Sequence, residues 1–289
     1  MIKVTDVRAV KGDSAFLIDD GATAILYDTG FAFTGKKVAE NIKALLGKRP
    51  LDFVFLTHSH YDHAAGTPYI KRTFPMAQVV AGAYAARIFS KDSAKTLMQE
   101  LDKSVAAASG VFEYEDLIPL LAVDRTVEEG DEIVAGNMRF FAVALPGHTK
   151  CSVGYYCKKE GLLLSTETLG VFNGKDDVVP SYLVGYEMTL DAIQKVRQLA
   201  PTRILLPHFG LIEGELVAHY LSRAEETAKE VARTIKKMLL DGKEQSEIAA
   251  WFEARFWHGY VREIYPVDAM RLNTGITVRL IARELLGRA

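Results

Sequence analysis

The stretch Thr57-His58-Ser59-His60-Tyr61-Asp62-His63 places three imidazoles and a carboxylate within six consecutive residues, directly after the apolar run Leu51-Asp52-Phe53-Val54-Phe55-Leu56. A short apolar run of this kind suits a buried strand, so the polar cluster falls in the loop where that strand ends. Imidazole nitrogens with a carboxylate oxygen suit zinc, iron or manganese, whereas calcium and magnesium are held in oxygen cages. With His58, Asp62 and His63 offset around His60, one loop can present ligands in two directions, which admits two metal ions. The alternative is a polar loop whose Asp62 merely caps the next helix. Against it, three of the chain's 7 histidines fall in this one loop.

The run resembles the HxHxDH signature of the metallo-β-lactamase-fold superfamily. That pattern asks for a further His at a strand end, a bridging acid after the next strand, and a last His near the end of the core. The chain supplies Leu145-Pro146-Gly147-His148-Thr149, Ser165-Thr166-Glu167-Thr168-Leu169 and Leu205-Leu206-Pro207-His208-Phe209-Gly210, in that order. Earlier, Leu26-Tyr27-Asp28-Thr29-Gly30 resembles the family's Asp-Thr-Gly turn, whose Asp supports the metal loop from behind. The resemblance spans roughly residues 1–212. It implies an α/β (α+β) fold, a four-layer αββα sandwich with its metal cleft at the edge between two sheets.

Carried over residue by residue, the resemblance assigns His58, His60 and His148 to a first metal, Asp62, His63 and His208 to a second, and Glu167 to the bridge. Two divalent ions are implied, zinc first, with iron or manganese as alternatives. Such a pair lowers the pKa of a shared water toward about 7, making hydroxide available at neutral pH. The expected activity is a metal-dependent hydrolase that uses metal-bound hydroxide on an ester, thioester or lactone carbonyl, Asp62 handling the proton and leaving group. Two departures stand out. Relatives usually carry Asp where this chain has Glu167, one methylene longer, and Lys150-Cys151 follows His148-Thr149 where many relatives have Pro-Gly.

Composition fits a compact enzyme: 289 residues, 49% hydrophobic and 25% charged, enough for one large core or a core with an appendage. Lys and Arg number 35 against 37 Asp and Glu, a formal charge of −2, and the pI near 6.4 gives no general attraction to nucleic acid or anionic lipid. The expected partner is a small-molecule substrate, with neither nucleic acid nor membrane. Met1 to Val7 alternates like a strand rather than a signal peptide, and no stretch approaches the ~20 apolar residues of a membrane span. The two cysteines, Cys151 and Cys157, lie six residues apart along an expected strand, ~20 Å at about 3.3 Å per residue and beyond disulfide reach. Free thiols indicate a reducing compartment, and a cytoplasmic protein is expected.

Period-two and short apolar runs predict strands at 15–18, 24–27, 53–57, 78–81, 132–134, 139–144, 153–157, 162–165 and 204–207. Helices are predicted at 36–46, with Val38, Ile42 and Leu45 on one side, and at 189–199 behind a Thr189 cap. Residues 1–212 are expected to form the catalytic domain, with a helical insertion at about 84–121. A helical extension follows at 213–289: a long helix 215–240 stopped by Asp241-Gly242, then helices at 246–258 and 269–286.

Such extensions help form the substrate pocket in relatives resembling hydroxyacylglutathione hydrolase. Trp251, Phe252, Phe256, Trp257 and Tyr260 could line an acyl pocket or pack the extension onto the core, a homodimer interface being the third use. His258 is read as a pocket residue or a helix-end His, His219 as an ordinary helix residue, and Lys229, Arg233, Lys236 and Lys237 as a solvated helix face. In the loop 180–186, Tyr182 or Tyr186 is expected to offer a hydroxyl to a substrate oxygen. Competing readings are an iron-dependent redox enzyme, a phosphodiester hydrolase and a non-catalytic binding protein. No basic exosite supports nucleic-acid processing, and His60, where flavodiiron relatives often carry Glu, argues against that redox subgroup.

Overall fold

The computed structural model describes residues 2–288, so Met1 and Ala289, the ends of the expected strand and extension, lie outside the described residues. The chain forms two compact units. One comprises the chain up to Ala144 together with Cys151–Ser165; the other comprises Leu145–Lys150 and the chain from Thr166 onward.

The first unit runs β1 (Lys3–Asp6), β2 (Phe16–Asp19), β3 (Ala24–Tyr27), α1 (Ala32–Leu46), β4 (Phe53–Leu56), α2 (Tyr61–Ala64), α3 (Thr67–Thr73), β5 (Gln78–Gly82), α4 (Ala83–Phe89), α5 (Asp92–Ala108), β6 (Arg125–Val127), β7 (Glu132–Ala135), β8 (Met138–Ala144), β9 (Val153–Cys157) and β10 (Leu162–Leu164). Strands β1 to β6 form one sheet in sequence order, antiparallel from β1 to β3 and parallel from β3 to β6. Strands β7 to β10 form an antiparallel meander.

Because β2 to β5 are buried on both faces, alternate residues have different apolar neighbours. Leu17, Leu26, Val54, Leu56, Val79 and Ala81 share a core with Val38, Ala39, Ile42 and Leu46 of α1. The opposite face packs on the meander: Phe55 stacks on Tyr155 at 4.6 Å and meets Phe140 edge-on at 5.4 Å, while the Tyr155 hydroxyl donates to the Leu56 carbonyl. Helix α1 starts four residues before the predicted Lys36, and Leu46 rather than the half-exposed Leu45 enters the core. Its early start has a remote cause. No side chain near the helix start caps it; instead the buried Asp102 of α5 accepts from the Ala32 and Phe33 amides at 2.8 and 3.3 Å. Within the range 84–121, where helices are predicted, the chain forms α4 and α5.

The second unit holds β11 (Val171–Phe172), β12 (Val178–Val179), α6 (Tyr186–Leu199), β13 (Arg203–Leu206), β14 (Gly210–Glu213), α7 (Glu215–Leu240), α8 (Gln245–Phe256), α9 (Gly259–Ile264) and α10 (Val267–Leu286). Helix α7 has the predicted limits. Thr189 is not the cap of α6: the helix begins after Gly185, and the Thr189 hydroxyl donates back to the Gly185 carbonyl at 3.0 Å. The unit's core joins Ala228, Val231 and Ile235 of α7 to Ile248, Phe252 and Phe256 of α8 and to Met270, Val278 and Ile281 of α10. The chain is thus of the expected mixed α/β class, the described residues forming three sheets, flanking helices and a helical C-terminal region. Among the described residues, no helix is long and apolar enough to cross a membrane.

Candidate metal centre

The two loops that build the first donor set leave adjacent parallel strands at the same end. Tyr27 of β3 is in register with Phe55 of β4, and the next amide, that of Asp28, donates to the Phe55 carbonyl at 2.9 Å. Loops beyond the carboxyl ends of neighbouring parallel strands are where open α/β sheets place their ligands. Asp28 is fully buried with φ +52, and it accepts from the Ser14 hydroxyl, the Thr57 amide and hydroxyl, and His63 Nδ1 at 2.7 Å. Thr29 holds the same loop by its backbone, its amide and hydroxyl both donating to the His63 carbonyl. Gly30 completes the turn because a side chain there would meet Asp13: an added Cβ would lie 2.5 Å from Asp13 Oδ1, and φ is +70.

These contacts select histidine tautomers. A carboxylate only accepts, so His63 donates from Nδ1 to Asp28 and keeps its lone pair on Nε2. The Thr57 hydroxyl, 3.1 and 3.0 Å from the two Asp28 oxygens, donates its one proton there; His58 Nδ1, 3.0 Å from that hydroxyl, then donates to it, and Nε2 of His58 carries the lone pair. The His58 ring centroid lies 4.1 Å from that of His63 and 4.6 Å from that of His60. Donor atoms of His58 and His60 come within 4.8 Å of each other, as do those of Asp62 and His63.

In the second unit His148, Glu167 and His208 come together. Gly147 has φ +143, and an added Cβ would collide with the Thr189 hydroxyl; its carbonyl accepts from the amides of Leu183, Val184 and Gly185, wrapping the loop before α6 around it. That loop brings Ser181 to His148, whose Nδ1 lies 2.8 Å from the Ser181 carbonyl and 2.9 Å from its hydroxyl. A carbonyl only accepts, so His148 too is held with Nε2 directed forward. Glu167 opens a one-turn helix, residues 167–169, in which the Thr166 hydroxyl accepts from the Thr168 amide. Its Oε2 lies 2.8 Å from His148 Nε2 and its Oε1 3.4 Å from His208 Nε2. The longer side chain therefore faces one histidine with each oxygen. Lone pairs this close repel unless a proton or a cation lies between them, and both side chains are largely shielded from water.

The donor set fits divalent ions: buried imidazoles oriented through Nδ1 by acceptors, alternating with carboxylates, are what zinc or iron take. The tyrosines of the 180–186 loop lie elsewhere. Tyr182 is fully buried in the helical core, its hydroxyl 3.4 Å from the Ala228 carbonyl, and its ring meets that of Tyr186 edge-on at 5.5 Å. The expectation of a substrate-facing hydroxyl is corrected here: the apolar faces of α7, α8 and α10 take up both rings, and Ser181 is what this loop lends to His148. Phe252 and Phe256 are likewise core residues, with Trp251 and Trp257 packed against them. His258 is exposed at the start of α9, and His219 is exposed on α7. Both cysteines are buried and outside any disulfide, and Cys151 Sγ lies 3.3 Å from the Ser59 hydroxyl.

Besides the serines on Asp28 and His148, sequence reasoning missed that two tyrosines act on backbone groups, one of them Tyr260, expected only to line an acyl pocket or to pack. Tyr220 of α7 directs its hydroxyl at the Leu169 and Gly170 carbonyls, 3.0 and 2.8 Å away, and Tyr260 of α9 donates to the His208 carbonyl at 2.5 Å. Burial, with the Glu167 charge adding to it, pushes the Tyr220 hydroxyl far above the ordinary tyrosine range and keeps it a donor. Helical periodicity marks Tyr220 as an inward residue, and nothing in it indicates which carbonyl the hydroxyl will meet.

Residues 10–208 match the family model of the metallo-beta-lactamase superfamily, and the chain belongs to that superfamily. It is 24% identical over 178 residues to the metallo-beta-lactamase fold-containing protein ST1585 of Sulfurisphaera tokodaii, covering 60% of this chain and 66% of that one. It is 28% identical over 155 residues to a hydroxyacylglutathione hydrolase of Brucella anthropi, covering 52% of this chain and 47% of that one, so it spans about half the length of this relative. In fold it is similar to a metallo-beta-lactamase family protein from Thermus thermophilus, with a TM-score of 0.60 at 19% identity, covering 92% of this chain and 87% of the other.

Proposed function

We propose that the protein is a metal-dependent hydrolase in which His58, His60 and His148 hold one divalent ion, Asp62, His63 and His208 hold a second, and Glu167 lies between them. The observation that carries this reading is the orientation of the buried histidines: Asp28 on His63 and Ser181 on His148 each occupy Nδ1 and leave Nε2 as the donor. Any buried imidazole needs a partner on Nδ1; what packing alone does not ask for is an Nε2 that then faces a carboxylate, as that of His148 faces Glu167 at 2.8 Å. Bound ions would supply Lewis acidity toward a carbonyl oxygen and lower the pKa of water toward about 7. The chain's own part is to hold the donors, to turn Nε2 of the buried histidines away from their Nδ1 partners, and to place the Asp62 carboxylate, partly open to solvent, where it can take up a proton and pass it to a leaving group.

For the substrate, an ester, thioester or lactone is proposed, the thioester drawing support from the matched relatives named hydroxyacylglutathione hydrolase. Elemental analysis of protein purified without added metal and without a histidine tag, followed by turnover on a panel of the three substrate types, tests the reading. Near two zinc per chain and hydrolysis of one class are expected, and replacing His60 or Asp62 by Ala should abolish turnover. Unchanged activity in either variant would sink the assignment, and a predominance of iron would point to redox chemistry instead.

A further inference from the structure

We propose that Tyr220 of α7 and Tyr260 of α9 are positioning residues that set how tightly the chain retains the ion held by His208, an inference that rests on the metal-hydrolase reading above. His208 is one of the few residues other than glycine with positive φ, at +60, and the Phe209 amide donates across it to the Pro207 carbonyl at 2.7 Å. It therefore sits at the centre of a three-residue turn of the rare kind with positive φ, a strained conformation that persists only where its surroundings enforce it.

The enforcement comes from the C-terminal helices. The Tyr260 hydroxyl donates to the carbonyl of His208 itself, and the next ring, Phe209, is clasped edge-on between Tyr260 at 5.6 Å and Phe172 at 4.9 Å. Phe172 in turn meets Tyr220 edge-on at 5.6 Å, and the Tyr220 hydroxyl reaches the Leu169 and Gly170 carbonyls that end the turn opened by Glu167. Four aromatic rings thus link two hydroxyls, one on the turn that presents His208 and one on the turn that presents Glu167. Each hydroxyl acts on backbone, so its effect reaches an ion through ligand position alone.

The test is the pair Tyr260→Phe and Tyr220→Phe, which keep the rings, beside Tyr265→Phe, which removes a hydroxyl that accepts from Asn273 in the same unit. Zinc content per chain and zinc affinity, by competition with a chelator, are measured together with thermal unfolding of the chelated proteins. Expected is a fall of about 10- to 100-fold in affinity for one of the two zinc ions in both test variants. Tyr265→Phe should retain wild-type affinity, and the chelated test variants should still unfold in one cooperative transition, at a midpoint lowered only by the loss of about one buried hydrogen bond. Should Tyr260→Phe fail to fold, Tyr220→Phe carries the same test. Wild-type affinity for both ions in the test variants overturns this proposal and leaves the hydrolase reading standing. A wild-type protein that binds no zinc overturns both.

Discussion

The smallest unit that decides what the metal loop can do is a single buried carboxylate. Asp28 is inaccessible to water, yet the Ser14 hydroxyl, the Thr57 amide and hydroxyl, and His63 Nδ1 all converge on it. Its charge dictates that His63 carries a proton on Nδ1. Asp28→Asn keeps the shape but offers an amide that can donate, which removes the preference for that tautomer. We expect zinc affinity to fall about 10- to 100-fold with little change in the fold, read by chelator competition and circular dichroism. Unaltered affinity would show that loop geometry alone orients His63. The Asp-Thr-Gly turn was legible because each of its residues has a separate duty visible in the residue type. The partners Ser14 and Ser181 were not, since a serine carries no mark of which buried group it will meet.

Among the elements, α1 and α5 show how one buried charge can serve a helix and burden the fold. The Asp102 carboxyl caps the start of α1 and accepts the Tyr114 hydroxyl at 2.5 Å. Burial pushes it up from 3.8 to about 6, against the lowering by those hydrogen bonds. The folded chain therefore keeps this proton up to about pH 6, while the unfolded chain releases it near 3.8. Between those values the folded state binds more protons, so this group's contribution to stability falls as pH rises from about 4 to 6. Two pKa units correspond to about 3 kcal/mol at most. In Asp102→Asn, which retains an acceptor for the Ala32 amide, that fall should vanish. Urea midpoints of the two proteins at about pH 4 and pH 7 measure it, and parallel pH dependence in both would refute it. The four extra residues of α1 were hidden from sequence reading for the same reason, because their cap lies 70 residues away.

At the scale of the molecule, bound ions would add to the stability of the folded chain by mass action. Excess chelator is expected to lower the thermal midpoint, and zinc to restore it in step with the logarithm of its free concentration, with about 4 kcal/mol gained at a thousandfold excess over Kd. In His63→Ala the zinc-dependent part of that shift should shrink, as scanning calorimetry across a zinc series would record. A midpoint indifferent to zinc in the wild type would count against the metal reading. The helical C-terminal region was legible as helices, α7 to its limits, because a long apolar stripe is a local pattern. Its bearing on Glu167 and His208 was not legible, because it runs through hydroxyls meeting carbonyls 50 to 52 residues away.

Contiguous chemistry could be read from the chain directly: the donor loop 57–63, the Asp-Thr-Gly turn, and the strands and helices whose period is written in neighbouring residues. Ligand type and local periodicity are properties of adjacent side chains, so linear order preserves them. The tautomers of His63 and His148, the inward turn of Tyr182 and Tyr186, the cap on α1 and the tyrosine clasp on His208 depend on which distant groups meet after folding. The two tyrosine rings go where apolar helix faces meet, and the rest is settled by the need to pair a buried donor or acceptor; both conditions exist only once the chain has closed around them.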